Sequence, residues 1–122
     1  MRQRQKQRGD LMHELGITEE IIAIVSERAR GRKVRRVVLE IGKLTAVLPD
    51  AVRFCFDLCN QGTPAEGAEL EIIETSGKAR CRQCGTELIL DRPFGRCSCA
   101  GTDLEWLAGE ELKIKEMELA DV

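Results

Sequence analysis

The sequence predicts an α+β fold, in which a small three-stranded sheet with two helices carries an inserted four-cysteine zinc-ribbon module. Two observations support this prediction. The chain reads helix, strand, helix, strand, insert, strand, an order that builds a short sheet covered by helices. The insert holds four of the six cysteines in two close pairs, which is typical of a metal-binding module. With 122 residues, the chain has room for one small domain and such a module.

The two helices are predicted from apolar spacing and from their end signals. Over residues 10–30, apolar side chains recur at near-helical intervals, and Gly31 is expected to end this first helix. Gly16 and Thr18 interrupt the N-terminal part of this helix, which leaves open a second helix start at Thr18 with its side chain as the N-cap. The second helix is expected to begin at Pro49, whose fixed φ suits a first helical turn.

Three strands complete the α+β domain. They are predicted in "KVRRVVLEIGKL", "GAELEIIET" and "GEELKIKEMEL", which are rich in alternating apolar residues. The cysteine-bearing insert separates the last two. We therefore expect a basic, disordered leader over residues 1–11, a discontinuous α+β domain over 12–76 and 109–122, and a zinc-binding domain over 77–108.

Charge is distributed unevenly along the chain. Residues 1–36 hold ten Lys/Arg against five Asp/Glu, a net charge of +5, which leaves −7 for the remainder of a chain of net charge −2. The basic end is interpreted as a solvated surface, with RNA, a membrane surface or an acidic partner left open. The leader lacks an apolar segment for secretion, and no apolar run approaches the length of a membrane span. We expect a cytoplasmic protein that binds no membrane.

The insert carries the clearest chemical signal. Cys81 and Cys84 form a C-x-x-C pair followed by Gly85, and twelve residues separate Cys84 from a second pair, Cys97 and Cys99. Four thiolates in two such pairs are typical of a tetrahedral Zn²⁺ site, in preference to a redox dithiol or unrelated buried thiols. No coordination position would remain open, so the zinc is expected to be structural. Metal binding would contribute on the order of 10 kcal/mol to the folding of this module.

The remaining candidates are a thiol pair and a histidine. Cys55 and Cys59 are four residues apart on the second helix, among Phe54, Phe56 and Leu58, and we expect them to be buried structural thiols. A soft-metal site is the alternative. The only histidine, at the front of the first helix, has no nucleophile nearby, and the chain has no phosphate-binding glycine loop. We therefore do not expect this protein to be an enzyme.

Several stretches together resemble the HypA/HybF family of nickel metallochaperones, which mature nickel-iron hydrogenases. The resemblance covers about residues 12–119. It rests on Met12–Leu15, "LEIGKL" at 39–44, Pro49 with Phe54 and Phe56, "GAELEI" at 67–72, the four-cysteine insert and the closing "GEELKIKEMEL".

The resemblance implies a nickel site at the start of the first helix. His13 would supply its imidazole, Met12 the amine and amide environment, and Glu14 an amide nitrogen and a supporting carboxylate, a nitrogen-rich set that suits Ni²⁺. It further implies transient Ni²⁺ beside structural Zn²⁺. The implied partners are the GTPase accessory protein HypB and the hydrogenase large subunit, with no nucleic acid, for a monomer or weak homodimer.

Two features depart from the family pattern. Eleven residues precede Met12, which would deprive it of a free amine, so we expect translation to start at Met12 and residues 1–11 to be an extension. Only Ser98 separates the last two cysteines, where two residues are usual in the family. A zinc-ribbon nucleic-acid-binding module or a structural adaptor remains the alternative function, although the acidic residues around the ribbon would repel phosphate.

Overall fold

The computed structural model describes the backbone of residues 2–121 and the side chains of residues 13–121. In chain order the elements are α1 (Arg2–Ala29), β1 (Val34–Gly42), a 3-10 turn (Lys43–Thr45), α2 (Pro49–Cys59), β2 (Glu69–Thr75), β3 (Gly77–Cys81), β4 (Glu87–Leu90), β5 (Leu104–Ala108) and β6 (Leu112–Leu119). One three-stranded sheet has the order β2-β1-β6, and a second has the order β4-β3-β5. The predicted fold class is confirmed.

Helix α1 is continuous, so the restart at Thr18 does not occur. Thr18 is fully buried, and its hydroxyl donates to the carbonyl oxygen of Glu14, one turn earlier, at 2.7 Å. The helix ends where Arg30 and Gly31 adopt left-handed backbone angles, with φ of 51° and 82°. The predictions about residues 1–11 and about the Met12 side chain fall outside the described side chains and stay predictions.

Helix α2 begins at Pro49, as the sequence predicts. Its inner face is formed by Val52, Cys55 and Phe56, all of which are buried. Phe54 and Leu58, which we expected to surround the thiols, lie instead on the outer face and are 58% and 57% exposed. This expectation was wrong because helical spacing separates them from the buried stripe.

The chain divides into two compact units. The first contains the chain up to Leu39, together with Val47–Glu71 and the chain from Ile114 onward; the second contains Glu40–Ala46 and Ile72–Lys113. The core of the first unit consists of fully buried residues of α1, β1 and α2. These include Val25, Val34, Val37, Leu39, Val52 and Phe56.

The second unit has a core of its own, formed by Leu44, Ala79 and Leu90. Its sheet is larger than the sequence suggested, because β3 pairs antiparallel with both β4 and β5. Between the two cysteine pairs, "TELIL" has the alternating pattern of a strand and forms β4. Arg80 of β3 stands between two glutamates of the neighbouring strands, with Glu87 at 3.0 Å and Glu105 at 4.0 Å. Such opposite charges stabilise adjacent strands.

Among the residues that the structure describes, no helix is both long and apolar enough to cross a membrane.

Candidate metal centre

The four cysteines of the second unit converge on one point. Their sulfur atoms all lie within 4.8 Å of one another. The Sγ atoms of Cys81 and Cys99 are 3.7 Å apart, and those of Cys84 and Cys97 are 3.5 Å apart. In a tetrahedral site with Zn–S bonds of about 2.3 Å, neighbouring sulfurs are separated by about 3.8 Å. The donor set therefore fits a Zn²⁺ ion with four thiolate ligands and no open position.

The first cysteine pair lies on a tight turn at the end of β3. The N–H of Gly85 donates to the carbonyl oxygen of Cys81 at 2.8 Å, and the N–H of Cys81 donates to that of Thr86 at 2.9 Å. Gly85 has a φ of 79°, a conformation that a residue with a Cβ rarely adopts. The turn returns the chain so that Cys84 faces Cys97 of the second pair.

The second pair reaches the cluster despite the single residue between its cysteines. The N–H of Cys97 donates to the carbonyl oxygen of Gly101 at 2.9 Å, and the N–H of Ala100 donates to that of Cys97 at 2.8 Å. A Cβ on Gly101 would lie 3.1 Å from the sulfur of Cys81 and 3.2 Å from that of Cys99. Gly101 thus leaves room for the sulfurs, and the short spacing is accommodated by a closed turn.

Electrostatics explains why these sulfurs need a cation. The hydroxyl of Thr86, 3.2 Å from the sulfur of Cys84, lowers the pKa of that thiol to about 6. The N–H of Gly101 favours the Cys99 thiolate, but the sulfurs of Cys84 and Cys81 outweigh it and raise the pKa of Cys99 to about 12. One thiolate therefore opposes ionisation of the next. A bound Zn²⁺ removes this conflict because it is the largest local charge and deprotonates its thiol ligands.

The residues of the expected nickel site are placed very differently from one another. His13 is exposed on α1 and lies inside this helix, not at its start. Glu14 is buried, and its Oε2 accepts a hydrogen bond from the backbone N–H of Leu48 at 2.9 Å. Successive helical side chains point about 100° apart, so the imidazole and the carboxylate face different surroundings. Sequence reasoning missed Leu48, since no local signal links residues 34 positions apart.

Among the described residues, the four-cysteine cluster is the only group of three or more candidate metal ligands. Cys55 is buried and Cys59 half-buried, outside this cluster. Burial, with Cys59 and Glu14 adding to it, raises the pKa of Cys55; burial and Glu19 raise the pKa of Cys59. Both groups are therefore neutral thiols near pH 7, as expected of structural cysteines.

Comparison with known proteins identifies a family of nickel-incorporating proteins. A family model described as "Hydrogenase/urease nickel incorporation, metallochaperone, hypA" matches residues 12–119. The hydrogenase maturation factor HypA of Trichormus variabilis is 62% identical over 111 residues, which cover 91% of this chain and 98% of that protein. The HypA of Geobacter sulfurreducens is 43% identical over 109 residues, covering 88% and 99% of the two chains.

Solved structures share the fold. The solution structure of the Ni metallochaperone HypA from Helicobacter pylori matches with a TM-score of 0.62 and 21% identity, covering 87% of this chain and 96% of that one. The family match favours a metallochaperone over the nucleic-acid-binding or adaptor alternative. From residue 12 to residue 119, the chain belongs to the HypA family of nickel-incorporating metallochaperones for hydrogenase and urease.

Proposed function

We propose that this chain carries Ni²⁺ transiently at His13 and delivers it for hydrogenase maturation, while structural Zn²⁺ holds the second unit together. One observation carries the proposal. The only histidine of the chain is exposed on α1, and it stands at the second position of the segment that matches the family. An exposed imidazole is accessible both for loading and for transfer, as a carrier requires.

The two metals would be bound in chemically different ways. The four thiolates close a tetrahedral shell around zinc, which suits a permanent structural ion. Imidazole, amine and amide nitrogens instead suit Ni²⁺ in a planar field. The domain division expected from the sequence, with nickel bound within 12–76 and 109–122 and zinc within 77–108, belongs to this proposal.

The amide ligands make a conformational demand on α1. In a helix the backbone nitrogens of His13 and Glu14 carry protons that are directed at carbonyl oxygens one turn earlier. An amide nitrogen that binds Ni²⁺ must lose this proton, so the N–H groups of His13 and Glu14 must give up their hydrogen bonds within the helix, whereas the Glu14 side chain need not move. A chain that starts at Met12 meets this demand easily, because terminal residues have no preceding turn and offer a free amine.

The proposed partners follow from the part that the relatives play in hydrogenase maturation. The relatives are named hydrogenase maturation factors, and the family description names hydrogenase and urease nickel incorporation. We propose that the chain receives or transfers nickel together with the GTPase HypB, that the hydrogenase large subunit is the recipient, and that the chain acts in the cytoplasm as a monomer or weak homodimer.

A nickel titration tests the proposal. Zinc-loaded wild-type protein, His13→Ala and Glu20→Ala are titrated with Ni²⁺ in parallel; Glu20 is the matched control because it is exposed on the same helix. We expect wild type and Glu20→Ala to bind one nickel, and His13→Ala to lose specific binding while its zinc content is unchanged. If His13→Ala binds one nickel with wild-type affinity, the proposed site is wrong.

A further inference from the structure

Glu14 is a buried acid, and nickel coordination does not explain why its side chain is buried. Its side chain is 98% buried in the first unit, next to the exposed His13. The Oε2 atom accepts from the N–H of Leu48 at 2.9 Å. The Oε1 atom is also buried and has no hydrogen-bond partner among the described residues. A buried carboxylate is costly unless its hydrogen bonds have a structural role, so the contact with Leu48 calls for an explanation.

The partner of Glu14 provides that explanation. Leu48 is the N-cap residue of α2, and its apolar side chain cannot cap the helix. In a capping box, a Glu at the third helical position accepts from the N-cap N–H. Here that position is occupied by Ala51, which has no acceptor. Glu14 supplies the missing acceptor from α1 and places negative charge at the positive end of α2.

This contact also sets the orientation of the nickel-binding residue. Because successive helical side chains differ in direction by about 100°, holding Glu14 against α2 directs His13 away from it, into solvent. The buried hydroxyl of Thr18 bonds to the carbonyl oxygen of Glu14 and secures the same turn of α1.

We propose that Glu14 is a positioning residue: its carboxylate completes the cap of α2 from a distance, and thereby holds His13 in its exposed orientation, without coordinating nickel through its side chain. The nickel part of this inference rests on the proposed function. The capping part does not, because it concerns a contact that exists before any nickel is bound.

Three variants separate these parts. Glu14→Gln keeps a side-chain oxygen that accepts from Leu48, Glu14→Ala removes it, and Glu20→Ala is the exposed control. Two measurements are made on zinc-loaded protein: amide hydrogen exchange at Leu48 without nickel, and nickel affinity together with the ligand-field absorption of the nickel complex.

We expect Glu14→Ala to accelerate exchange at Leu48 and to weaken nickel binding by about tenfold to a hundredfold, the usual effect of removing a group that orients a ligand. The absorption of the residual complex should stay as in wild type. Glu14→Gln and Glu20→Ala should keep wild-type exchange and nickel affinity within about threefold.

The capping contact is refuted if Leu48 exchanges equally fast in Glu14→Ala and wild type. The positioning role is refuted if Glu14→Gln keeps Leu48 protected but loses nickel as Glu14→Ala does, or shifts the ligand-field absorption, since the carboxylate would then be a ligand. Failure of the proposed function has a different signature, namely unchanged nickel binding in His13→Ala, and leaves the Leu48 exchange result valid.

Discussion

The backbones of Gly42 and Gly109 touch, so that a Cβ on Gly42 would overlap the carbonyl group of Gly109. The contact belongs to a short ladder within the second unit. The N–H of Gly42 donates to the carbonyl oxygen of Glu111 at 2.7 Å, and the N–H of Leu44 donates to that of Gly109 at 2.9 Å. Gly109 itself has a φ of 105°, which only glycine adopts without strain. Two glycines 67 positions apart therefore make this close backbone contact possible, because neither carries a Cβ.

Gly42→Ala should destabilise the protein by about 1–3 kcal/mol, because the new methyl group forces backbone out of a packed contact. Urea denaturation measures the change in the free energy of unfolding. Gly16→Ala is the matched control: Gly16 lies inside α1, and a methyl group added there would have nothing within 4 Å, so the change should stabilise by about 0.5–1 kcal/mol. Equal effects of the two substitutions would contradict the close approach.

Cys81→Ala should lose about one equivalent of zinc and unfold the second unit, because three thiolates cannot close a structural tetrahedron. The first unit should keep its structure, since its apolar core contains none of the zinc ligands. Zinc released into a chromogenic chelator gives the stoichiometry, and amide exchange reports on each unit. Unchanged zinc content in Cys81→Ala would exclude the four-cysteine site.

Replacement of both Cys55 and Cys59 by Ala should leave the zinc and nickel stoichiometries unchanged. Both thiols lie outside the metal cluster and, among the described residues, belong to no other group of three or more candidate ligands. Loss of the buried sulfur of Cys55 should cost about 1 kcal/mol, and that of the half-buried Cys59 less. A loss of either metal from the double variant would support the soft-metal alternative.

A chain that starts at Met12 should bind Ni²⁺ more tightly than the 122-residue chain, because only the shorter form has a terminal amine next to His13 and frees the adjacent amides from α1. Binding should release protons, and affinity should fall as the pH falls, because protons compete for the nitrogen ligands. Calorimetry in two buffers of different ionisation enthalpy measures the affinity of each chain and the number of protons released. Identical affinities for the two chain lengths would exclude the amine and amide ligands.

Glu118→Gln should reduce the loss of stability in acid. The side chain of Arg36, 2.9 Å away, and then that of Arg35 hold the pKa of Glu118 below its ordinary value of 4.5. A carboxylate with a lowered pKa stabilises the folded state above pH 4.5, and this contribution disappears as the pH falls through the lowered pKa. The free energy of unfolding between about pH 3 and 6 should therefore depend less steeply on pH in Glu118→Gln than in wild type. The exposed control Glu20→Gln should keep the wild-type slope, and equal slopes for all three proteins would contradict the prediction.

Several parts of the fold and site were predictable because their signals are local. Pro49 marks the first turn of α2, and a residue with positive φ is most often glycine, as at Gly31. The two cysteine pairs predict a zinc site through spacing alone, because the chemistry of four thiolates admits few alternatives, and the structure brings their sulfurs into one cluster. His13 could be proposed as a nickel ligand only through the resemblance to a family, since a single histidine forms no sequence pattern that distinguishes a ligand from an ordinary surface residue.

The sequence by itself determined the order of the main elements, the four-cysteine cluster and the family, since periodicity, turn residues and ligand spacing act within short stretches of chain. Only the tertiary structure decided that Glu14 caps a helix 34 positions away, that Phe54 and Leu58 face outward, and that β3 and β5 join the zinc-module sheet. The physical reason is the same in each case. These properties depend on which distant surfaces pack together to remove apolar area from water and to satisfy buried polar groups, and the packing is a property of the folded chain.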